Sequence, residues 1–328
     1  MDQPDAGHLM RYAQVFAASG LRLLPLQGGP GVLPGGGPGP DPGGGGGPVG
    51  NRNAILWGAC PVNLSGSDFE AMNAQFGPLT IRRSYQPAAA GMPASWAACN
   101  AGVDVGVRAS AWSGKPTMSS VANGSLDGQI LAFLRSIPPT HLAWVTIWHE
   151  PDGKIKDGVF SLATYKAGFA RFCQLTQQVK TEGWPHLYTF QCVTTWAGTN
   201  PSPGTTYADM WPGDGLVDCY GLDGYSHVGS GESLWGPGVA FARSKGIPWC
   251  VPEIGYGNTG SQDVSWLNDQ VTYLTSTAAG GHSKAAFACW FNTAGPISNP
   301  TPGSNTAWIT AAKAASAAYY TDYTQFVL

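Results

Sequence analysis

Charge is what this chain has least of. Asp, Glu, Lys and Arg make up 11% of its 328 residues, about half the usual share for a globular domain. The 17 Lys and Arg are scattered, and the formal net charge is −3. That excludes the basic patch of a nucleic-acid binder. A neutral partner fits better, and polysaccharides are often neutral. A run of about 18 apolar residues is also missing, so no membrane span is expected. The start, Met1-Asp2-Gln3-Pro4-Asp5, lacks a basic stretch leading into an apolar one, so no signal peptide is read there.

Several chemical motifs are absent too. The seven cysteines include no CxxC pair, and their number is odd. Cys60, Cys192, Cys219, Cys250 and Cys289 fall in expected strands and read as small buried hydrophobes; one disulfide stays open. Val228-Gly229-Ser230-Gly231 does not match the spacing of a serine-hydrolase elbow. His149-Glu150-Pro151-Asp152 lacks the second histidine of a zinc helix. No metal and no cofactor are therefore expected.

Glycine, proline and tryptophan are plentiful. Residues 28–50 read GGPGVLPGGGPGPDPGGGGGPVG, a composition that cannot bury a core and reads as a linker. Residues 1–27 carry a short amphipathic stretch around His8–Ser19. Two readings of this arm stand: a plain tether, or an element that docks residues 51–328 onto a larger assembly such as a phage tail or cell-surface structure. The expected location is extracellular or virion-associated. The 13 Trp offer flat apolar faces with one N–H donor each. That suits either core packing or the face of a pyranose.

From Asn51 onward, strand-like and helix-like runs alternate. Strands are expected at Ala54–Cys60, Leu79–Ser84, Val103–Ala109, Leu142–His149, Leu187–Val193, Val217–Leu222, Trp249–Pro252 and Ala286–Phe291. Helices are expected at Ser67–Gln75, Leu126–Ser136, Leu162–Thr181, Ser233–Ser244, Val264–Ser276 and Ala307–Ala317. Alternation of this kind predicts βαβ units and a parallel sheet. Eight strands over this length predict an α/β fold, a (β/α)8 TIM barrel. A doubly wound open sheet is the alternative, but Pro61-Val62-Asn63-Leu64 is not the Gly-rich turn it would want.

Two glutamates close apolar strand-like runs: Glu150 after Trp144–His149, and Glu253 after Ile247–Pro252. A carboxylate at the end of an apolar strand is costly unless the site uses it, and in a barrel that end is where catalysis occurs. Two of them suggest the acid and the nucleophile of a glycosidase. Glu150 has few cations near it in sequence, so burial would raise its pKa as a general acid requires. Glu253 should stay ionised, with Arg83 and Tyr225 as natural donors; Arg82 is adjacent, and register decides which arginine points inward. Carboxyls about 5–5.5 Å apart would give retention of configuration. Trp57, Trp112 and Trp196 lie near strand ends and read as sugar platforms or as core. His227 follows Tyr225 closely and reads as site-lining or as a loop histidine. Asp223 reads as a loop cap.

The segment Trp211-Pro212-Gly213-Asp214-Gly215-Leu216-Val217-Asp218-Cys219-Tyr220-Gly221-Leu222-Asp223-Gly224-Tyr225 resembles the sixth-strand motif of clan A glycoside hydrolases. It looks most like family 26, which contains β-mannanases and related endo-glycanases. His149-Glu150 resembles that family's fourth-strand pair, Glu253-Ile254-Gly255 its seventh-strand nucleophile, and Cys289-Trp290-Phe291-Asn292 its eighth-strand tryptophan segment. The resemblance covers roughly residues 54–317. Pro151 departs from the mannanase pattern and is closer to the Asn-Glu-Pro of other clan A families. The resemblance implies that Glu150 is acid/base and Glu253 the nucleophile. It implies that His149 contacts sugar or positions the acid, that Tyr225 hydrogen-bonds the nucleophile, and that Trp290 stacks under the sugar. The implied partner is a β-linked polysaccharide, mannan-like or a cell-wall glycan, cleaved in endo fashion. A non-catalytic carbohydrate-binding barrel is the competing expectation.

Overall fold

The computed structural model describes residues 55–60, 66–86, 91–99, 109–225, 228–255, 264–276, 285–291, 310, 313 and 314. The expected N-terminal helix, the Gly/Pro linker and most of the expected Ala307–Ala317 helix lie outside the described residues, as does His227. Eight parallel strands close on themselves in chain order: β1 (Leu56–Cys60), β2 (Ile81–Tyr85), β3 (Ala109–Gly114), β4 (Ala143–Ile147), β5 (Leu187–Thr194), β6 (Cys219–Tyr225), β7 (Trp249–Gly255) and β8 (Phe287–Phe291). The ring closes through β1 and β8, with Leu56 opposite Phe287 and Cys60 opposite Phe291. This is a (β/α)8 barrel, and the open-sheet alternative is excluded.

Helices separate the strands: α1 (Gly66–Phe76), α2 (Trp96–Cys99), α3 (Met118–Ala122), α4 (Asp127–Arg135), α5 (Pro151–Lys156), α6 (Leu162–Thr181), α7 (Trp196–Thr199), α8 (Tyr207–Met210), α9 (Gly231–Ser244) and α10 (Val264–Thr275). The longest, α6, shows why they form. Ser161 caps its start by accepting the Thr164 N–H at 3.1 Å. Tyr165, Phe169, Phe172, Cys173, Thr176 and Val179 recur at helical spacing and are buried. Among the described residues, no helix is long and apolar enough to cross a membrane.

Alternation along each strand builds two layers. One set of side chains fills the barrel: Leu56, Ile81, Ala109, Ala111, Trp144, Phe190, Cys192, Cys219, Cys250, Phe287 and Cys289. The other packs under the helices, including Trp57, Trp112, Val145, Ile147, Tyr220, Trp249, Val251 and Trp290. The cysteines are free thiols, all buried except the half-buried Cys99. Small thiols suit an interior that already holds Trp144, Phe190 and Phe287.

The third strand differs from expectation. The alternating run Val103–Ala109 drew the assignment, but β3 is Ala109–Gly114. Its small residues look weak as strand formers. Ala109 and Ala111 are what the crowded interior accepts, while Trp112 supplies the outer contact on Phe133 of α4, ring centroids 4.4 Å apart.

Candidate active site

Strands β2, β3, β4, β6 and β7 deliver the site. On β2, parity settles the two arginines. Arg83 points inward, its guanidinium 4.2 Å from the Tyr85 ring centroid and 5.3 Å from that of Phe190. Arg82, its neighbour, takes the other face. Tyr85, two residues on, shares Arg83's face, and its hydroxyl donates to Glu253 Oε1. Sequence reasoning missed Tyr85. The signal was there, since i and i+2 on a strand point the same way.

Glu253 reaches the interior through a bulge. Cys250 fills the barrel, so strict alternation would send Glu253 outward. The ladder pairs Gly221 with Cys250 but Asp223 with Glu253, three residues of β7 against two of β6. Pro252 sits in the extra step, where its missing N–H costs no ladder bond. Glu253 is 3% exposed. Tyr225 donates to its Oε2 at 2.5 Å, so each carboxylate oxygen accepts one phenol hydroxyl.

Glu150 arrives by a different route. Beyond β4 the backbone is left-handed at Trp148 (φ 52°) and again at Glu150 (φ 53°). Such values are uncommon for residues other than glycine and cluster at functional sites. The Trp148 N–H donates to Gly114 O at 2.8 Å, and the Glu150 N–H to Cys192 O at 3.0 Å. These bonds hold the turn between β3 and β5, and Pro151 then starts α5. The result is a half-buried carboxyl over the barrel mouth.

The carboxyl groups of Glu150, Asp223 and Glu253 each place an oxygen within 4.8 Å of the others. Burial, then repulsion from Glu253 and Asp152, pushes Glu150 up to about 8. Burial and the same two glutamates raise Asp223 well above the carboxylate range. Asp223 lies deep in the barrel at 1% exposed and accepts the Cys192 thiol at 3.0 Å. It is part of the site, not a loop cap. Burial works against the Arg83 charge, but the acidic groups around it, Tyr85 and Cys192 first and then Glu253 and Asp223, raise it overall. Burial, with Arg83, Lys115 and Lys154 nearby, holds the His149 imidazole neutral at neutral pH. His149 Nδ1 lies 3.2 Å from Ser113 Oγ, and Nε2 lies 4.0 Å from Glu253 Oε1. The three carboxyls are geometrically close enough to hold a cation.

The sixth-strand motif has structural work as well. Trp211 donates to Asp214 at 2.7 Å, and Asp218 takes the Thr189 N–H and the Lys180 ammonium, both at 2.7 Å. Gly224 leaves room for Trp235, whose ring would lie 2.4 Å from an added Cβ. Asp223 and Tyr225, on the opposite face, are thereby presented to Glu253.

Three expected platforms are elsewhere. Trp57 and Trp290 are each 1% exposed and stack on one another outside the barrel, centroids 5.2 Å apart. Trp112 is fully buried beneath α4. Their strand parity faces helices, not the mouth. On β8 it is Phe291, half-buried and 6.2 Å from the Tyr225 ring, that faces the site. Trp196 does stand in the open, 41% exposed. It edges a cleft of about 640 Å³ that runs beside α5 and is lined by Asp152, Gly153, Lys156, Thr194 and Asn200 among others.

No family model matches the sequence, and no curated protein matches it. The fold, however, is similar to solved family 26 mannanases. A modular endo-β-1,4-mannanase from Cellulomonas fimi aligns with a TM-score of 0.55 at 16% identity, covering 84% of this chain and 75% of that one. A β-mannanase from Bacteroides ovatus aligns with a TM-score of 0.52 at 13% identity, covering 81% and 89%. The catalytic domain of a Bacillus endo-β-1,4-mannanase aligns at 0.50 with 17% identity, covering 82% and 86%. The likeness is one of fold.

Proposed function

We propose that the chain is a retaining glycoside hydrolase that cleaves a β-linked polysaccharide by double displacement. The observation that carries this reading is the pairing of Glu150 and Glu253, brought together from the ends of β4 and β7 with an oxygen of each within 4.8 Å of the other. Glu150, pushed up to about 8, holds a proton at neutral pH and can give it to the leaving oxygen. Glu253 accepts the hydroxyls of Tyr85 and Tyr225 and lies near Arg83, donors that hold its oxygens in place for attack. It attacks the anomeric carbon, and a glycosyl ester forms as the glycosidic bond breaks. Glu150, now ionised, takes a proton from water, which hydrolyses the ester. One oxygen of each carboxyl lies within 4.8 Å of the other, which is compatible with the close pairing of retaining enzymes.

Trp196, exposed at the edge of a cleft beside α5 whose lining includes neither glutamate, is the candidate sugar platform for endo action on a chain. Mannan and related glycans enter as candidates because the similar folds belong to mannanases. Residues 1–27 are proposed as an element that docks the barrel onto a larger assembly through the 28–50 linker, with a plain tether as the competing reading. The test is sugar release by the purified chain from β-mannan, mixed-linkage glucan, xylan and actinobacterial cell-wall polysaccharide. Release by wild type and none by Glu253→Gln is expected. Equal release by both would sink the assignment of the nucleophile. Binding without release by either would favour a carbohydrate-binding barrel.

A further inference from the structure

The chain is poor in cations, yet two lysines stand beside Glu150. Lys115 follows Gly114, the last residue of β3. Trp148 pins its flanks, donating its N–H to Gly114 O at 2.8 Å and its indole N–H to Pro116 O at 2.5 Å. Lys154 lies one turn into α5, four residues beyond Glu150. Both are half-buried. Among the described residues, neither makes an ion pair or a hydrogen bond. Burial first, then Lys154, lowers the Lys115 pKa, while Glu253 and Glu150 act the other way.

The carboxyls nearby are already engaged. Glu253 has its two tyrosines. Asp152 accepts the Thr194 hydroxyl at 2.5 Å and its N–H at 3.3 Å. Glu150 and Asp223 favour the protonated form. Two half-buried ammonium groups of like charge, with carboxylates near them but none in ion-pair contact, keep donors to spare in the free protein. A neutral sugar offers those donors hydroxyl oxygens only, whereas a carboxylate or phosphate also offsets the charge and makes stronger hydrogen bonds to ammonium groups.

We infer that the barrel mouth selects a glycan bearing an anionic substituent, a carboxylate or a phosphate, held between Lys115 and Lys154 next to the bond being cleaved. This rests on the glycosidase reading and names its substrate class. The anion contributes binding and register, and the chemistry stays with the two glutamates.

The test uses the full-length chain and matched polymers: glucuronoxylan against its carboxyl-reduced form, and phosphomannan against its dephosphorylated form. The first pair reports a carboxylate, the second a phosphate. The acidic member of one pair is expected to be turned over with kcat/KM about tenfold or more above its neutral counterpart. That ratio should shrink with added salt. It should collapse in Lys115→Met and Lys154→Met and survive in the Lys→Arg variants. Equal turnover within both pairs, or a ratio untouched by the Met variants, overturns the inference. If no polymer is cleaved at all, the glycosidase reading fails, and affinity electrophoresis of the same chain in gels of each polymer decides this one. Retardation by an acidic polymer and not by its neutral form, lost in the Met variants, supports it. No difference in retardation overturns it.

Discussion

Asp223 stands directly opposite Glu253 in the β6/β7 ladder, one step beyond a bulge. Two carboxyls are thereby forced onto the same face of adjacent strands. One, Glu253, has a tyrosine hydroxyl on each oxygen. The other accepts a single thiol and is driven toward its neutral form. The site thus concentrates three acidic groups while keeping its charge low, and that division of roles is open to measurement.

The tyrosine pair can be probed by removing one hydroxyl at a time. Tyr225→Phe and Tyr85→Phe should each lower kcat by roughly tenfold to a hundredfold, as loss of one donor on a reacting carboxylate does. Trapping with a fluorinated glycoside that stalls on the nucleophile should label Glu253, and the mass of a Glu253 peptide checks it. Label on Glu150 instead would reverse the two roles.

The acid should show in the pH profile. With Glu150 pushed up to about 8, kcat/KM should fall on the alkaline side with a midpoint near that value. Glu150→Gln should abolish this limb and lower the rate on poor leaving groups by about a thousandfold or more. Aryl glycosides with good leaving groups should be far less affected, and added azide should restore turnover as a β-glycosyl azide. An α-azide would contradict retention.

On stability, Glu150→Gln should act with the opposite sign to its effect on rate. Glu150 and Asp223 have folded pKa values above their unfolded ones. Folding therefore favours their protonated forms, and the contribution is fully present below about pH 4, near the unfolded carboxyl values. For Glu150 it is lost as pH rises from there through about 8. Glu150→Gln and Asp223→Asn should each raise the thermal midpoint at pH 8 and change it little at pH 4. Calorimetry at the two pH values checks this; destabilisation at pH 8 would contradict it.

The tryptophans should separate into two groups. Trp196, exposed at the cleft edge, should cost little stability when changed to Ala but should raise KM for polymers. Trp57→Ala or Trp290→Ala removes half of a buried stacked pair and should cost about 3–5 kcal/mol. Denaturant melts beside polymer kinetics distinguish the two.

The barrel was legible because its strands are bounded apolar runs and its helices carry clean periodicity, as at Leu162–Thr181. Glu150 and Glu253 were legible because a carboxylate is out of place at the end of an apolar strand. What failed depended on facing. Trp57, Trp112 and Trp290 sit near strand ends like true platforms, but only the closed register shows which side each takes. Glu253 would itself have been sent outward by counting from Cys250, since nothing local announces a bulge except Pro252. Tyr85 needed the inward placement of Arg83 first. Asp223 looked like a loop residue because β6 runs three residues beyond its expected end.

The interior thiols give the barrel a chemical clock. Cys192, Cys250 and Cys289 are sealed inside the ring of strands, and burial raises each thiol well above its ordinary value. The reactive form is the thiolate, so an alkylating reagent meets almost none of it while the ring is closed. Labelling of these three positions, read by mass spectrometry over time, would count how often the staves part, in the intact protein and without denaturant.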